Sequence, residues 1–575
     1  MSRQLFAILL FSFVLAVPRA TGESPESADA ALYPETTVYY AELTDPPALV
    51  SLIFDHPLRE KIEQLPQYQM ATQTPDYKRF LFGRAMVETQ LQMSWREALD
   101  TLLAKKVSVA FDAETRSAVA IVRGKDEASM KLFAEKMVAF AELGENADEI
   151  RQTEYRGLQA YKIQDVLYAI SDDRMVITNK PELGRTVIDC LLDGGPSLND
   201  NERFQSAWKT RKEGELAWSF VDVEAVRQYA SDPFETQINN PVLELLVGGI
   251  QSALANSPYA TSSLSGDQKS LTLNLMTPFE ADWIPESRDY FFGPAANGRG
   301  AAVPEIDDTL FSLSTYRDFS ELWLRAGDLF NADINDGFAQ ADANLSTLFA
   351  GRDFGEDILG SFQSEVVVVA TRQDFSETLP RPTLRLPAFA AVFKLKEPEE
   401  MTRELRRIFQ SLVGFLNVIG AMNGQNQLEM DMDKIGDHAE LVTTQFVPES
   451  DEEESTEAGV IFNFSPSVGF SGERFVVAST AELARLLVEA KSSEAASLVD
   501  NTRGSLNARV LQQVLADNRE QLIAQNMLED GNSREEAEAV IELVLQVMGY
   551  FDGMTMRLTP TEDMLEASFQ VQVAP

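Results

Sequence analysis

Short runs in which apolar and polar residues alternate recur along this chain, and between them lie segments whose apolar positions follow helical spacing. Thr37–Leu43 (TVYYAEL) alternates as an edge or half-buried strand does, and Thr309–Thr315 repeats the pattern. Trp95–Phe111 (WREALDTLLAKKVSVAF) and Phe354–Ala370 (FGEDILGSFQSEVVVVA) each read as a short helix feeding a β-branched run. Ser117–Val122 and Ala388–Phe393 follow as strands, leading into helices over Asp126–Leu143 and Glu397–Ile419. Hairpins come next, at Glu149–Ile163 and Leu428–Val442. They turn at Tyr155-Arg156-Gly157 and at Lys434-Ile435-Gly436-Asp437, where glycine supplies the positive φ such turns need.

The clearest internal match aligns Val166–Cys190 (VLYAISDDRMVITNKPELGRTVIDC) with Pro466–Ala490 (PSVGFSGERFVVASTAELARLLVEA) without a gap. Ser171 meets Ser471, Arg174 meets Arg474, Glu182-Leu183 meets Glu482-Leu483, and Arg185 meets Arg485. The shared pattern is strand, polar turn, strand and amphipathic helix, with Asn179 and either Ser479 or Thr480 as candidate helix caps. Each copy closes with a helix and two strands: Val242–Leu254 then Ser262–Leu275, and Arg534–Met548 then Met554–Val573. Ser533 and Glu536 form a capping box for the later helix.

So many elements in one order predict an α+β protein made of two tandem, diverged copies of an antiparallel-rich sheet with helices packed on one face. The first copy spans 33–278 and the second 305–575. Between them, 279–304 reads as a linker, since it carries Pro285, Pro294, Pro304 and the run Gly293–Gly300 (GPAANGRG). The acidic run Glu449–Glu457 reads as a solvated loop of the second copy.

The N-terminus changes the compartment. One basic residue, Arg3, precedes the apolar stretch Leu5–Val17, and small residues follow, so 1–22 reads as a cleaved signal peptide and 23–32 as an acidic linker. An uncleaved anchor is the alternative. No cysteine follows the stretch, which excludes a lipoprotein anchor. The most apolar later segment, Ile408–Met422, is interrupted by Gln410, Ser411 and Asn417. It reads as a buried core helix, leaving no transmembrane span in the mature chain. A secreted or periplasmic protein is expected.

Charge narrows the partners. With 90 acidic and 49 basic residues the chain carries −41, which repels nucleic acid and anionic headgroups. Cys190 is the one cysteine, so no intrachain disulfide forms, and its apolar helical setting suits a buried thiol better than a nucleophile. The only histidines are His56 and His438, too few for a polyhistidine metal site.

Candidate chemistry is sparse. Ser206 and Lys209 fit S-x-x-K without its companion motifs. Asp55-His56-Pro57 invites an acid–base reading, but neighbouring residues point apart, and packing at a helix boundary is the simpler role. Asp431, Asp433, Asp437, Glu440 and His438 form a dense oxygen-rich cluster. Its spacing is not that of a calcium loop, and Asp431 and Asp433 alternate with Met430 and Met432 on what reads as the solvent side of a hairpin. Whether Asp431, Asp433 and Asp437 bind calcium stays open at this point. Trp95, Trp208, Trp218 and Trp323 sit in amphipathic contexts and read as core. There is no G-x-S-x-G, P-loop or dinucleotide fingerprint. No residue is assigned as catalytic, cofactor-binding or metal-binding.

The order of elements, the strand TTVYYAEL with Asp45 behind it, and the paired hairpin–strand–helix blocks at Arg174 and Arg474 together resemble a group of secreted bacterial proteins of planctomycete type, known only as a domain of unknown function. The resemblance covers nearly the whole mature chain. It implies an exported envelope or extracellular protein and brings no catalytic residues. Two functions follow. One is a non-catalytic binding or scaffold protein of the envelope, its partner or small ligand unnamed; the other is a secreted hydrolase working through carboxylates. An apolar groove or exposed patch marks the first, and buried, perturbed carboxylates in one cleft mark the second.

Overall fold

The computed structural model of the chain describes residues 29–141, 151–163, 166–229, 237–349, 351–375, 381–436, 438–448, 459–490 and 499–574. The signal segment, the acidic run Glu449–Glu457 and Asp437 lie outside them. The described chain forms two units, residues 29–229 with 257–278, and residues 237–256 with 279–574.

In the first unit the strands are β1 (Thr37–Leu43), β2 (Lys106–Asp112), β3 (Ser117–Arg123), β4 (Arg151–Tyr155), β5 (Leu158–Ile163), β6 (Val166–Ser171), β7 (Arg174–Thr178), β8 (Ala217–Asp222), β9 (Tyr259–Gly266) and β10 (Ser270–Pro278). They pair antiparallel in the order β10-β9-β8-β1-β2-β3-β7-β6-β5-β4. The second unit has β11 (Thr309–Tyr316), β12 (Phe362–Thr371), β13 (Ala388–Leu395), β14 (Leu428–Ile435), β15 (Ala439–Phe446), β16 (Ser467–Ser471), β17 (Arg474–Ala478), β18 (Thr502–Asn507), β19 (Phe551–Pro560) and β20 (Met564–Val573). Its order is β20-β19-β18-β11-β12-β13-β17-β16-β15-β14, again antiparallel throughout. The two orders agree strand for strand.

Register agrees as well. Val119 pairs with Thr178 and Ile121 with Val176; Ala390 pairs with Ala478 and Val392 with Val476. These are the partners that result from aligning Ser117–Val122 on Ala388–Phe393 and Val166–Cys190 on Pro466–Ala490. Each unit's first ladder slips once, between Thr37 and Tyr39 and between Thr309 and Phe311.

The class is the expected α+β, but helices cover both faces of each sheet instead of one. Along β17, Val476 and Ala478 join Leu483, Ala484 and Leu487 of the helix Ala481–Glu489, while Phe475 joins Met401 and Leu405 of the helix Pro398–Met422. In the first unit Val176 meets Leu183 and Val187 of the helix Pro181–Asp193, and Met175 meets Met130 and Ala134 of the helix Glu127–Ala141. The run Val366-Val367-Val368-Val369 has no polar alternate, as a strand buried on both sides requires.

The segment 279–304 is not a loose linker. Phe279, Tyr290, Phe291 and Phe292 are buried in the second unit's core with Ala253, Leu322 and Phe330. Proline and glycine forbid long regular elements but do not prevent burial. The helix Pro241–Asn256, which the sequence reading assigns to the first copy, belongs to this core. Gly249 lets it approach closely, since a Cβ there would stand 2.5 Å from the Phe291 ring. Nor is all of 23–32 a linker, because Ala30 and Leu32 are buried in the first core. Among the predicted caps, Thr480 accepts from Leu483 N, whereas Asn179 accepts from Ala118 N across the sheet. The Ser533–Glu536 capping box forms.

Candidate functional site

The helix Pro398–Met422 starts favourably, with proline in its first turn and Glu399 and Glu400 beside the positive end of its dipole. Its first half buries Met401 and Leu405. In its second half Phe415, Val418 and Met422 are 55%, 62% and 83% exposed. The expected buried core helix over Ile408–Met422 is therefore corrected. The composition is apolar, but beyond Val413 few neighbours exist to cover it.

Asn417, which interrupts that apolar run, has a definite partner. Its Nδ2 donates to Leu428 O and its Oδ1 accepts from Leu428 N, each at 2.8 Å. A carboxamide placed this way stands in for a residue of an adjoining strand. Leu428 opens β14, the last strand of the sheet order, which pairs with β15 alone among the described residues. Residues of an antiparallel edge strand turn their N–H and C=O alternately toward and away from the neighbour. Leu428 turns both away, so Met430, Met432 and Lys434 do the same. The Met432 N–H is taken by the Asp431 carboxylate at 2.8 Å, and Gln410 Nε2 lies 3.2 Å from Met432 Sδ.

An open cleft of about 1360 Å³ runs along this edge. Gln410, Val413, Gly414 and Asn417 line it from one stripe of the helix, and Leu428 to Asp431 line it from β14. Carboxylates dominate its charge: Asp307, Asp308, Asp374, Glu429, Asp431 and Glu482. Arg372 is the single cation among the lining residues. It is ion-paired with Asp517 at 2.6 Å, and that hydrogen bond raises its pKa. Much of the remaining polarity holds the fold. Thr444 donates to Pro466 O at 2.6 Å, Asn463 accepts from Leu386 N at 2.7 Å, and Thr480 caps its helix. No histidine, cysteine or lysine lines the cleft, so no nucleophile is set beside a nitrogen base there.

The motifs found in the sequence lie elsewhere or fall apart. Ser206 Oγ donates to Glu202 O at 2.9 Å within its own helix and is not paired with Lys209. His56 caps the helix Pro57–Glu63, with Nδ1 accepting from Leu58 N at 3.0 Å, while Asp55 binds Arg96 at 3.0 Å; the two make no acid–base pair. Cys190 is half-buried, and desolvation pushes its thiol up. Trp218 is buried, and Trp208 packs against the same core. In the acidic cluster, Asp433 binds Arg485 at 2.7 Å and Glu440 binds Arg406 at 2.5 Å, and among the cluster's described carboxylates Asp431 is the one that lines the cleft. Among the described residues no three acidic, histidine or cysteine side chains come together as metal ligands.

Sequence reasoning missed the buried charges. Glu42, on the inward row of β1, binds Lys106 at 2.8 Å and Arg211 at 2.7 Å and accepts from Tyr40. Glu244 binds Arg288 at 2.7 Å beneath Tyr290 in the second unit. A carboxylate on the apolar side of an alternating strand was the legible sign of the first. Both clusters lie within the cores of their own units, and none of their residues lines the cleft.

No protein-family model matches the chain, and no curated protein matches it. Among solved structures it is similar to crystal forms I, IV and III of TP0453, a Treponema protein, at 12%, 11% and 9% identity and a TM-score of 0.24 in each. These matches cover 43–44% of this chain and 77–80% of those chains.

Proposed function

We propose that this chain is an exported, non-catalytic binding protein of the bacterial envelope, and that the cleft beside β14 receives its ligand. The observation that carries the reading is the cleft of about 1360 Å³ beside a strand that has no second neighbouring strand among the described residues and whose outward Met430 N–H and C=O have no partner among them. Carboxylates, amides and hydroxyls line the cleft beside apolar side chains, with no histidine, cysteine or lysine to activate a nucleophile, which suits holding a ligand more than transforming one. Export is supported by the signal-like stretch Leu5–Val17 and by the resemblance to secreted planctomycete-type proteins. No helix of the described residues is long and apolar enough to cross a membrane. We also infer that the two units descend from one duplicated domain, which the common strand order and register support.

The test is native mass spectrometry of the full chain purified from its own envelope fraction, beside a Gly414→Trp variant. A Cβ at Gly414 meets nothing within 4 Å, so the bulky side chain enters open space in the cleft. A stoichiometric adduct on the native chain and none on the variant is expected. A bare native chain, or an adduct that survives the substitution, overturns the reading.

A further inference from the structure

We propose that the free edge of β14 is a strand-addition site for an extended peptide segment of a partner protein, with basic and apolar residues in alternation. The inference rests on the binding reading above and gives its ligand a chemical class.

Backbone comes first. The outward N–H and C=O groups of Met430 and Lys434 have no partner among the described residues, and Met430 stands in the open cleft. An edge of this kind is completed when an added strand supplies the missing ladder. Asn417 already occupies the position opposite Leu428 and so sets where the added strand begins. The carboxylate on Met432 N–H is displaced when a peptide carbonyl takes that place, which releases Asp431 toward the incoming side chains.

Side chains then select the occupant. Successive residues of β14 point to opposite faces. Glu429 and Asp431 form one row. Met430 and Met432, 43% and 51% exposed, form the other. An added strand lays one of its rows beside the acids and the other beside the methionines, so basic residues alternate with apolar ones. A second copy of this chain does not fit. Antiparallel pairing of β14 with itself about Met432 sets Asp431 opposite Asp433, and pairing about Met430 sets Glu429 opposite Asp431. Like charges directly opposite one another destabilise a sheet.

The experiment titrates the full-length protein with two labelled hexapeptides of equal composition, alternating Lys-Val-Lys-Val-Lys-Val and block Lys-Lys-Lys-Val-Val-Val, followed by fluorescence anisotropy and site-resolved amide exchange. The alternating peptide is expected to bind about tenfold tighter than the block peptide. Bound peptide is expected to slow exchange at Met430, Met432 and Lys434. Met430→Pro, which removes an outward N–H that the β15 ladder does not use, abolishes the preference. Asp431→Lys, at an exposed position, moves it toward an alternating Glu/Val peptide and covers the case in which the proline variant does not fold. Equal binding of the two peptides, or a preference that survives both substitutions, overturns the proposal by reducing it to charge attraction. An adduct lost from Gly414→Trp together with equal peptide binding refutes the strand site while the cleft reading stands. No adduct and no peptide preference refutes both.

Discussion

Asn417 grips Leu428 by both halves of its carboxamide, 2.8 Å to the carbonyl and 2.8 Å to the amide, so that a helix side chain does the work of a strand. Leu428 is buried, so a backbone group that loses its partner there is poorly placed to replace it. Asn417→Ala removes both bonds at once. An unmade buried hydrogen bond costs about 1–3 kcal/mol, and a net loss of about 2 kcal/mol in the second unit is expected. Amide exchange at Leu428 and along β14 checks it: exchange speeds up there first, while β11 to β13 stay protected. Unchanged exchange at Leu428 would show that the side chain is a bystander.

Glu42 makes the first unit sensitive to acid. Burial pushes its carboxyl up, but Lys106, Arg211 and the hydrogen bond from Tyr40 together pull it further down, below its ordinary value of 4.5. A carboxyl depressed in the folded state contributes stability above its unfolded pKa and loses it as pH falls through the folded one. The first unit therefore weakens below about pH 4.5. Asp29 opposes this, because burial raises its pKa and the folded state gains by taking up its proton. Glu42→Gln isolates the one term: it leaves Lys106 and Arg211 buried without their main counter-charge, costs about 3 kcal/mol at neutral pH, and costs less in acid. Urea midpoints at pH 7 and pH 4 for both proteins give the comparison. An equal difference at the two pH values would refute it.

What could be read in the sequence follows from what each signal physically reports. Alternation reports which strand residues share a face, and the gapless match of Val166–Cys190 to Pro466–Ala490 places β6, β7, β16 and β17 in their true register. The four valines 366–369 announced burial on both faces, although a one-sided sheet is the simpler reading of mixed hairpins and helices. In the segment 279–304 proline and glycine describe the backbone and suggest a linker, whereas Tyr290-Phe291-Phe292 describe the neighbours and lie in the core. Asn417 looked like a break in an apolar run. Its meaning depends on Leu428, which only the fold brings to it, and the same holds for the cleft: no motif spans its lining residues.

Arg317 is the most demanding buried charge in the second unit. It is 3% exposed, and no carboxylate pairs with it among the described residues. Its Nε donates to Leu245 O at 2.8 Å, and one terminal nitrogen reaches Phe291 O at 3.2 Å, Tyr316 O at 2.5 Å and Asn501 Oδ1 at 2.9 Å. The guanidinium lies 3.5 Å from the centre of the Phe291 ring. Burial pulls its pKa down to about 9, against an upward pull from Tyr290, so it is charged at neutral pH. One planar group thus joins the helix Pro241–Asn256, the short helix Asp289–Phe292, the end of β11 and the approach to β18. Lysine keeps the charge but offers it at a single point, which cannot span acceptors on opposite sides or stack on the ring. Arg317→Lys is expected to cost about 3 kcal/mol, the sum of lost bonds and a poorly solvated ammonium. Arg317→Met removes the charge along with the donors and is expected to cost no more than lysine does. The readout is urea unfolding followed by exchange of the β11 and β18 amides. A lysine variant within about 0.5 kcal/mol of the native chain would mean that charge alone suffices at this position and that the fork geometry carries no weight.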